Sequence, residues 1–359
     1  MFVLSVLFYS LCPLVVLYLL LKRYIRSADK RYRTENGLND GVKIIAFFHP
    51  FCNSGGGGER VLWVALRALH HKYPDYHYVV YTGDVEAAPE DIKAKVKKQF
   101  QMDLNFAISF VYLKRRYLIG SHLYPVFTLL GQSIGSMFLG FEAIFGCVPD
   151  VFIDSMGYAF TFPVFKYLGN CRVGAYVHYP TISTDMLDMV ANTRTSYNNR
   201  QIISNSRVLT SGKLLYYKLF AYLYGVVGRM ALIVMVNGSW TQRHIERIWD
   251  RKVVRVYPPC NTDELKRLSL QNKKHLQIVS IGQIRPEKNH SLQLTAFKEF
   301  VDRLSTEGVD SEGAKLVIIG NCRDDGDRQR LNDLKKLSDS LGIAGKVDFK
   351  INIPYDELK

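Results

Sequence analysis

One short grammar is written twice along this chain: an apolar run, a polar turn, a helix-period stretch and a second apolar run. Its first copy is Val42 to Phe48, the turn His49 to Gly58, a helical pattern over Glu59 to His71, then Tyr76 to Tyr81 closed by Gly83-Asp84. Its second copy is Leu276 to Ile281, the turn Gly282 to His290, a helical pattern over Leu292 to Leu304, then Lys315 to Ile319. Short runs rich in Ile, Val and Phe read as buried strands, and strand, loop, helix, strand is the opening of a doubly wound sheet. The repetition predicts an α/β chain with two domains, the first doubly wound and the second repeating its grammar. Further strand candidates in the first are Ala107 to Tyr112, Val151 to Ile153, Val173 to Val177 and Ala231 to Val236. In the second, a helix over Arg328 to Leu341 and a strand over Lys346 to Lys350 complete a set of about three strands, where sheets of this type run to about five or six. Either the second domain is unusually small or the chain lacks its C-terminal part.

At 359 residues the chain exceeds one typical core, and its 48% hydrophobic content requires folded domains. Val3 to Leu21 is almost wholly apolar and about as long as a bilayer crossing needs, with Pro13 tolerable in a membrane helix. Lys22, Arg23, Arg26, Lys30, Arg31 and Arg33 crowd its far side, so the positive-inside rule places the rest of the chain in the cytosol. No charge precedes the apolar run and it is long for a signal peptide, which favours an uncleaved signal anchor. The expected organisation is an anchor over 1–22, a basic juxtamembrane linker over 23–41, a first domain over 42–257, a linker over 258–275 and a second domain over 276–359.

The net charge of +14 fits nucleic acid, an anionic membrane or phosphorylated ligands equally. Its distribution disfavours nucleic acid: the cations cluster beside the anchor, in Lys93 to Lys98 and in Lys114 to Arg116, without a recognition motif. A membrane is the more economical partner, at roughly 1 kcal/mol per juxtamembrane cation. Leu104 to Cys147 and Lys213 to Val236 are rich in aromatic and aliphatic residues and sparsely charged, which suits either a buried core or contact with the membrane interface. The six cysteines are scattered and form no metal-ligand spacing, consistent with a reducing compartment. The sequons at Asn237 and Asn289 read as chance matches in a cytosolic domain.

Two loops carry the chemistry. Gly55, Gly56, Gly57 and Gly58 with Glu59 join the first strand to the first helix, and glycines let the backbone turn its N–H groups closely onto a ligand. A P-loop needs Lys after its last glycine, where Glu59 stands, and a dinucleotide fingerprint places Arg60 or Val61 where a small residue belongs. Asp84 leaves a nicotinamide cofactor open as a lesser alternative, and a sugar acceptor or sugar-diphosphate fits better. In the second loop Arg285 and Lys288 stand where a strand gives way to a helix, a site for a doubly charged diphosphate. His178 ends a strand candidate, and His49 is placed the same way after the first strand; ligands in open α/β sheets lie at such strand ends. Asp324, Asp325 and Asp327 precede a helix and read as capping rather than as a metal site.

Phe47-Phe48-His49-Pro50, Asn53 to Arg60, Tyr81 to Asp84, Asp154 to Tyr158, Tyr176 to Asp185, Tyr257 to Cys260 and Gly282 to His290 together resemble a family. It is that of the GDP-mannose-dependent α-1,2-mannosyltransferases of the dolichol-linked oligosaccharide pathway, and the match runs from about Val42 to Lys359 behind a similar anchor. The resemblance implies a GT-B fold with the active site between two Rossmann-like domains. It implies retaining transfer of mannose from GDP-mannose to a dolichol-diphosphate-linked oligosaccharide, on the cytosolic face of the endoplasmic reticulum membrane in N-glycosylation, with no metal and no cofactor. By position, Gly55 to Gly58 would face the donor diphosphate or the acceptor, His178 the transferred mannose, and Arg285 and Lys288 the departing GDP. The family's nucleotide-binding E-x7-E element lies further along than Lys359, so the resemblance implies a chain truncated at its C-terminus and weakened or inactive as it stands. Two other function classes stay open: a non-catalytic, membrane-tethered partner of the full-length enzyme or of other mannosyltransferases of the pathway, and an NAD-dependent oxidoreductase.

Overall fold

The computed structural model describes residues 2–191, 207–260, 262, 266–267, 269, 271, 274, 276–322, 325–354 and 357. The chain begins with one helix, α1, spanning Phe2–Glu35. No glycine or proline interrupts Leu14 to Glu35, so the helix started by the apolar run continues through the residues read as a linker. Val15 to Leu20 are exposed, whereas Ile25, Ala28 and Tyr32 are buried on one face at three- and four-residue spacing. Arg33 donates to the carbonyls of Asn39 and Val42, which fixes the turn into the first strand. Part of the anchor reading rests on residues 2–11 and 14, whose side chains lie outside the described set.

The chain divides after Pro259 into two units. The first is built on a seven-stranded, all-parallel sheet of order β3-β2-β1-β4-β5-β6-β7. Its strands are β1 Ile44–Phe48, β2 His77–Thr82, β3 Ser109–Tyr112, β4 Val151–Asp154, β5 Arg172–Val177, β6 Ile233–Val236 and β7 Val254–Arg255. The crossovers include α2 Gly57–Lys72, α3 Pro89–Phe100, α4 Thr128–Gly146, α5 Thr184–Ala191, α6 Arg207–Gly228 and α7 Ser239–Trp249. Alternation splits β1 between two cores: Ile44, Ala46 and Phe48 join one cluster with Tyr81, Phe152 and Phe165, while Ile45 and Phe47 join another with Leu62, Trp63 and Leu66. Burial on both faces is why these strands read as unbroken apolar runs. Phe152 and Phe165 stack with ring centroids 3.6 Å apart.

The aromatic zone from Leu104 to Cys147 turns out to be β3, two short 3-10 turns and α4. Among the described residues, α4 is the one helix long and apolar enough to cross a membrane. One of its sides, with Leu139, Ala143 and Ile144, belongs to the core, and Ile134 and Phe138 on another are exposed. Arg116 from the cation cluster in this zone points inward: it pairs with Asp84, donates to the Pro50 carbonyl at 3.2 Å and lies 4.9 Å from the Phe51 ring centre.

The second unit is a three-stranded parallel sheet of order β10-β9-β8, made of β8 Gln277–Ile281, β9 Lys315–Gly320 and β10 Val347–Ile351. Helices α8 His290–Thr306 and α9 Asp325–Ser340 cross between them, over a core of Ile284, Leu294, Phe297, Leu316, Ile318 and Leu334. β8 is an edge strand, with Ile278, Val279 and Ile281 exposed. Half of the segment read as a linker, 258–275, falls outside the described residues.

Candidate active site

In the first unit the chemistry collects at the carboxyl ends of β1, β4 and β5. His49 follows β1, Asp154 ends β4 with Ser155 after it, and His178 follows β5. The register that pairs Phe48 with Asp154 and Asp154 with Ala175 brings these ends side by side. His49 Nδ1 lies 2.8 Å from Ser155 Oγ, and its Nε2 lies 3.2 Å from Glu59 Oε1. The other Glu59 oxygen accepts the Gly56 N–H, a capping contact at the start of α2. Burial raises the affinity of Glu59 for a proton, but the His49 hydrogen bond and charge and the Gly56 amide outweigh it and hold the carboxyl below its ordinary value. Glu59 thus holds the glycine loop in shape and orients His49.

The four glycines have separate tasks. Gly55 sits at φ +84°, in the left-handed region, and Gly56 precedes the helix, while Gly57 and Gly58 form its first turn. The first intrahelical bond runs from the Arg60 N–H to the Gly56 carbonyl, so the amides of Gly57 and Gly58 precede the ladder and face outward from a positive helix end. His178 sits over this turn: a Cβ on Gly58 would lie 3.6 Å from His178 Nε2. That nitrogen is buried and has no hydrogen-bond partner. Burial, and then the neighbouring His49, push the ring down to about 4, against the pull of Glu59 and of a hydrogen bond to the Ser155 main chain. His178 is therefore neutral at physiological pH. With its other nitrogen bonded to Ser155, its Nε2 carries a lone pair.

The loop before the helix is anchored from several directions. Asp84 Oδ2 accepts the Asn53 N–H at 2.9 Å and the Thr82 hydroxyl at 3.0 Å, and its other oxygen pairs with Arg116. Lys95 donates to the Asn53 carbonyl at 2.5 Å. Asp84 is thus occupied in holding this loop, which removes the ribose partner on which the nicotinamide alternative rested. On the neighbouring strand end, the Asp154 carboxyl is fully buried and accepts the N–H groups of Met156 and Gly157 at 3.0 to 3.2 Å. Burial drives it up to about 7, although the Met156, Tyr158 and Gly157 amides pull it down. The sequence reading gave Asp154 and Ser155 no role of their own; a polar residue ending a buried apolar run was the available signal.

In the second unit, Arg285 precedes the 3-10 turn Pro286–Lys288 and Lys288 ends it, followed by Asn289 at φ +47° and then α8. Ile284 is buried beneath the turn, and its carbonyl accepts from Arg330 at 3.1 Å. The Gly282 N–H bonds the Ile319 carbonyl at 2.8 Å, and a Cβ on Gly320 would come within 2.1 Å of the Gly282 carbonyl, so only glycine allows this approach. Lys288 is exposed and its stem lies over Gly282, while Arg285 is 3.7 Å from Glu287. Of the acidic group, Asp325 opens α9 and Asp327 pairs with Arg330 at 3.0 Å; Asp324 lies outside the described residues. Among the described residues no three His, Cys, Asp or Glu side chains are grouped to hold a metal ion. All six cysteines are free. Asn237, in one sequon, accepts the Thr241 hydroxyl at 2.7 Å, and Thr241 also donates to the His178 carbonyl at 3.3 Å.

Among solved structures, a trehalose-6-phosphate synthase, OtsA, matches 88% of this chain and 75% of its own with TM-score 0.53 at 11% identity. The N-terminal domain of a Candida albicans trehalose-6-phosphate phosphatase matches 88% and 73% with TM-score 0.50 at 13% identity. At such identities the likeness shows the fold alone. That fold, with a family profile described as "Glycosyl transferases group 1" over residues 261–359, defines a glycosyltransferase of the GT-B class. A second profile, "ALG11 mannosyltransferase N-terminus", matches residues 42–249, and the chain belongs to that ALG11 mannosyltransferase family. A GDP-Man:Man(3)GlcNAc(2)-PP-Dol alpha-1,2-mannosyltransferase of Homo sapiens is 51% identical over 98% of this chain and 72% of its own length. A protein of the same name from Caenorhabditis elegans is 45% identical over 90% of this chain and 70% of its own length.

Proposed function

We infer that this chain transfers mannose from GDP-mannose, in α-1,2 linkage, to a dolichol-diphosphate-linked oligosaccharide. The observation that carries the reading is the 51% identity to a relative of that name over 98% of the chain, a span that takes in the bulk of both units. The bond between the mannose anomeric carbon and the GDP β-phosphate oxygen breaks, and one to an acceptor hydroxyl oxygen forms. An α-linked donor giving an α-linked product makes the reaction retaining, and the acceptor proton leaves on the departing phosphate.

The second unit supplies Arg285 and Lys288 to the diphosphate, where charge develops as the bond breaks. The amides of Gly57 and Gly58 offer a further electropositive end for a donor or acceptor oxygen. His178, neutral with an unpartnered Nε2, accepts a hydrogen bond from a sugar hydroxyl and orients the mannose. No step calls on a metal ion, since the cations and amides meet the diphosphate charge. The membrane, through α1, brings the chain to its lipid-linked acceptor, with the units on the cytosolic side of the endoplasmic reticulum.

Incubating the detergent-solubilised chain with radiolabelled GDP-mannose and dolichol-diphosphate Man(3)GlcNAc(2) tests the reading; absence of labelled lipid product sinks it. His178→Ala and Lys288→Ala are each expected to raise the barrier by about 2–4 kcal/mol. Thermal stability of Lys288→Ala should stay at the parental value, because Lys288 is exposed on a polar turn. Parental turnover in either variant removes that residue from the mechanism. Protease treatment of sealed microsomes checks the topology, and protection of the two units would reverse it.

A further inference from the structure

Beside the strand ends that carry His178, the first unit holds a cavity of about 200 Å³ to which no role has been given. It lies between α4, through Leu129, Gln132, Ser133 and Ser136, and the segment from Met156 to Phe160 after β4, with Thr181 closing it. Several times the ~30 Å³ that a water occupies in the liquid, it has room for one hexose ring.

Its chemistry is selective. No ionised side chain lines it, so a diphosphate finds no partner there. Small hydroxyls and one amide face the apolar surfaces of Leu129, Met156 and Phe160, the mixture a sugar presents through its hydroxyls and its C–H faces. The Ser136 hydroxyl donates its proton to the Ser133 carbonyl at 2.7 Å, and the Gln132 amide nitrogen donates to the Ile119 carbonyl at 2.8 Å. That leaves the Ser136 lone pairs as acceptors, and the Gln132 amide with a carbonyl and a second N–H, for sugar hydroxyls that both donate and accept. The wall opposite α4 is rigid: the buried Asp154 carboxyl gathers the Met156 and Gly157 N–H groups, and the Thr181 hydroxyl reaches the Gly157 carbonyl at 3.4 Å. Thr181 is three residues beyond His178, so the cavity and the imidazole share one loop.

We propose that this cavity seats one hexose ring of the acceptor glycan. The proposal rests on the reading of the chain as a transferase acting on a lipid-linked oligosaccharide. A hexose could also come from the donor. The acceptor is favoured because the wall helix α4 exposes Ile134 and Phe138, an apolar surface suited to the carrier of a lipid-linked substrate.

The test uses the detergent-solubilised full chain with Ser136→Leu, which fills the cavity, and with Ser136→Ala and Gln132→Ala, which remove acceptors without filling it. Binding of soluble Man(3)GlcNAc(2) is read by saturation-transfer NMR, and transfer kinetics by varying each substrate in turn. Ser136→Leu should abolish the glycan signal and raise the acceptor KM about tenfold or more, with the GDP-mannose KM held within about twofold. The two alanine variants should raise the acceptor KM about fivefold. Should Ser136→Leu fail to fold, those two decide the matter alone. Glycan binding lost in the variants although the parent transfers no mannose would uphold the cavity and overturn the transferase reading. A matching rise in the GDP-mannose KM would assign the cavity to the donor and overturn the proposal. So would unchanged kinetics and binding in all three variants, or no glycan binding by the parent.

Discussion

His178 and Asp154 stand at the ends of neighbouring strands, both pushed by burial toward their neutral forms, and their effects on stability oppose each other. The His178 ring is lowered from 6.5 to about 4, so across that window an unfolded chain takes up a proton that the folded chain refuses. Folding therefore loses stability as pH falls from about 6.5 to 4. Asp154 is raised from 3.8 to about 7, so the folded chain keeps a proton that an unfolded chain releases. Its contribution is full below the lower value and is lost as pH rises through the upper one. His178→Asn should leave the Asp154 effect uncompensated, and its stability relative to the parent should decline as pH rises from 4.5 to 7. Asp154→Asn should do the reverse, each change being of order 2–3 kcal/mol across the window. Denaturant midpoints measured over that range decide it, and slopes of the same sign would refute the assignment.

At the scale of elements, the turn into α2 shows how far local sequence reaches. Four glycines between a strand and a helix announce a backbone placed close to a ligand, but they do not announce which glycine is indispensable. Gly55 is, because its φ of +84° costs any other residue about 1–2 kcal/mol. A Cβ there would also strike the Gln99 amide at 2.2 Å, at the end of a flexible side chain that can move. Gly55→Ala should thus lose stability and transfer rate, and Gln99→Ala added to it should restore neither; full rescue would show that crowding rather than backbone strain is the cause. The strands were legible because burial on both faces leaves unbroken apolar runs, and nine of the ten were placed within two residues at each end. β7 is the instructive miss, since a two-residue exposed strand has no periodicity to read. The residues read as a basic linker, 23–41, continue α1 as far as Glu35, because Lys and Arg are good helix formers and Ile25, Ala28 and Tyr32 supply a buried face. Arg116 was grouped with its neighbouring cations: its partner Asp84 is 32 residues away, and only the fold joins them. The His49, Ser155 and Glu59 contacts belong to this class too, spanning up to 106 residues.

The two units differ in how completely their sheets are enclosed, and that difference sets where the molecule opens first. In the first unit β1 and β4 lie inside a seven-stranded sheet with a core on each face, so exposing their amides requires both cores to separate. In the second, among the described residues, β8 has a hydrogen-bonded neighbour on one side only, one core serves the whole sheet, and Ile278, Val279 and Ile281 remain exposed. Local opening there breaks fewer contacts, and an exposed apolar edge is also a template for pairing with another chain. Hydrogen exchange followed by mass spectrometry should find Ile44–Phe48 and Val151–Asp154 the slowest strands and Gln277–Ile281 among the fastest. Phe152→Ala removes the ring stacked on Phe165 and should cost the first unit about 3–5 kcal/mol while leaving exchange in β8 unchanged. Ile281→Lys, at a position 66% exposed, should leave stability within about 0.5 kcal/mol and reduce self-association at high concentration. Protection of β8 equal to that of β1 would mean that its edge is covered in solution, and the ranking argued from enclosure would fall.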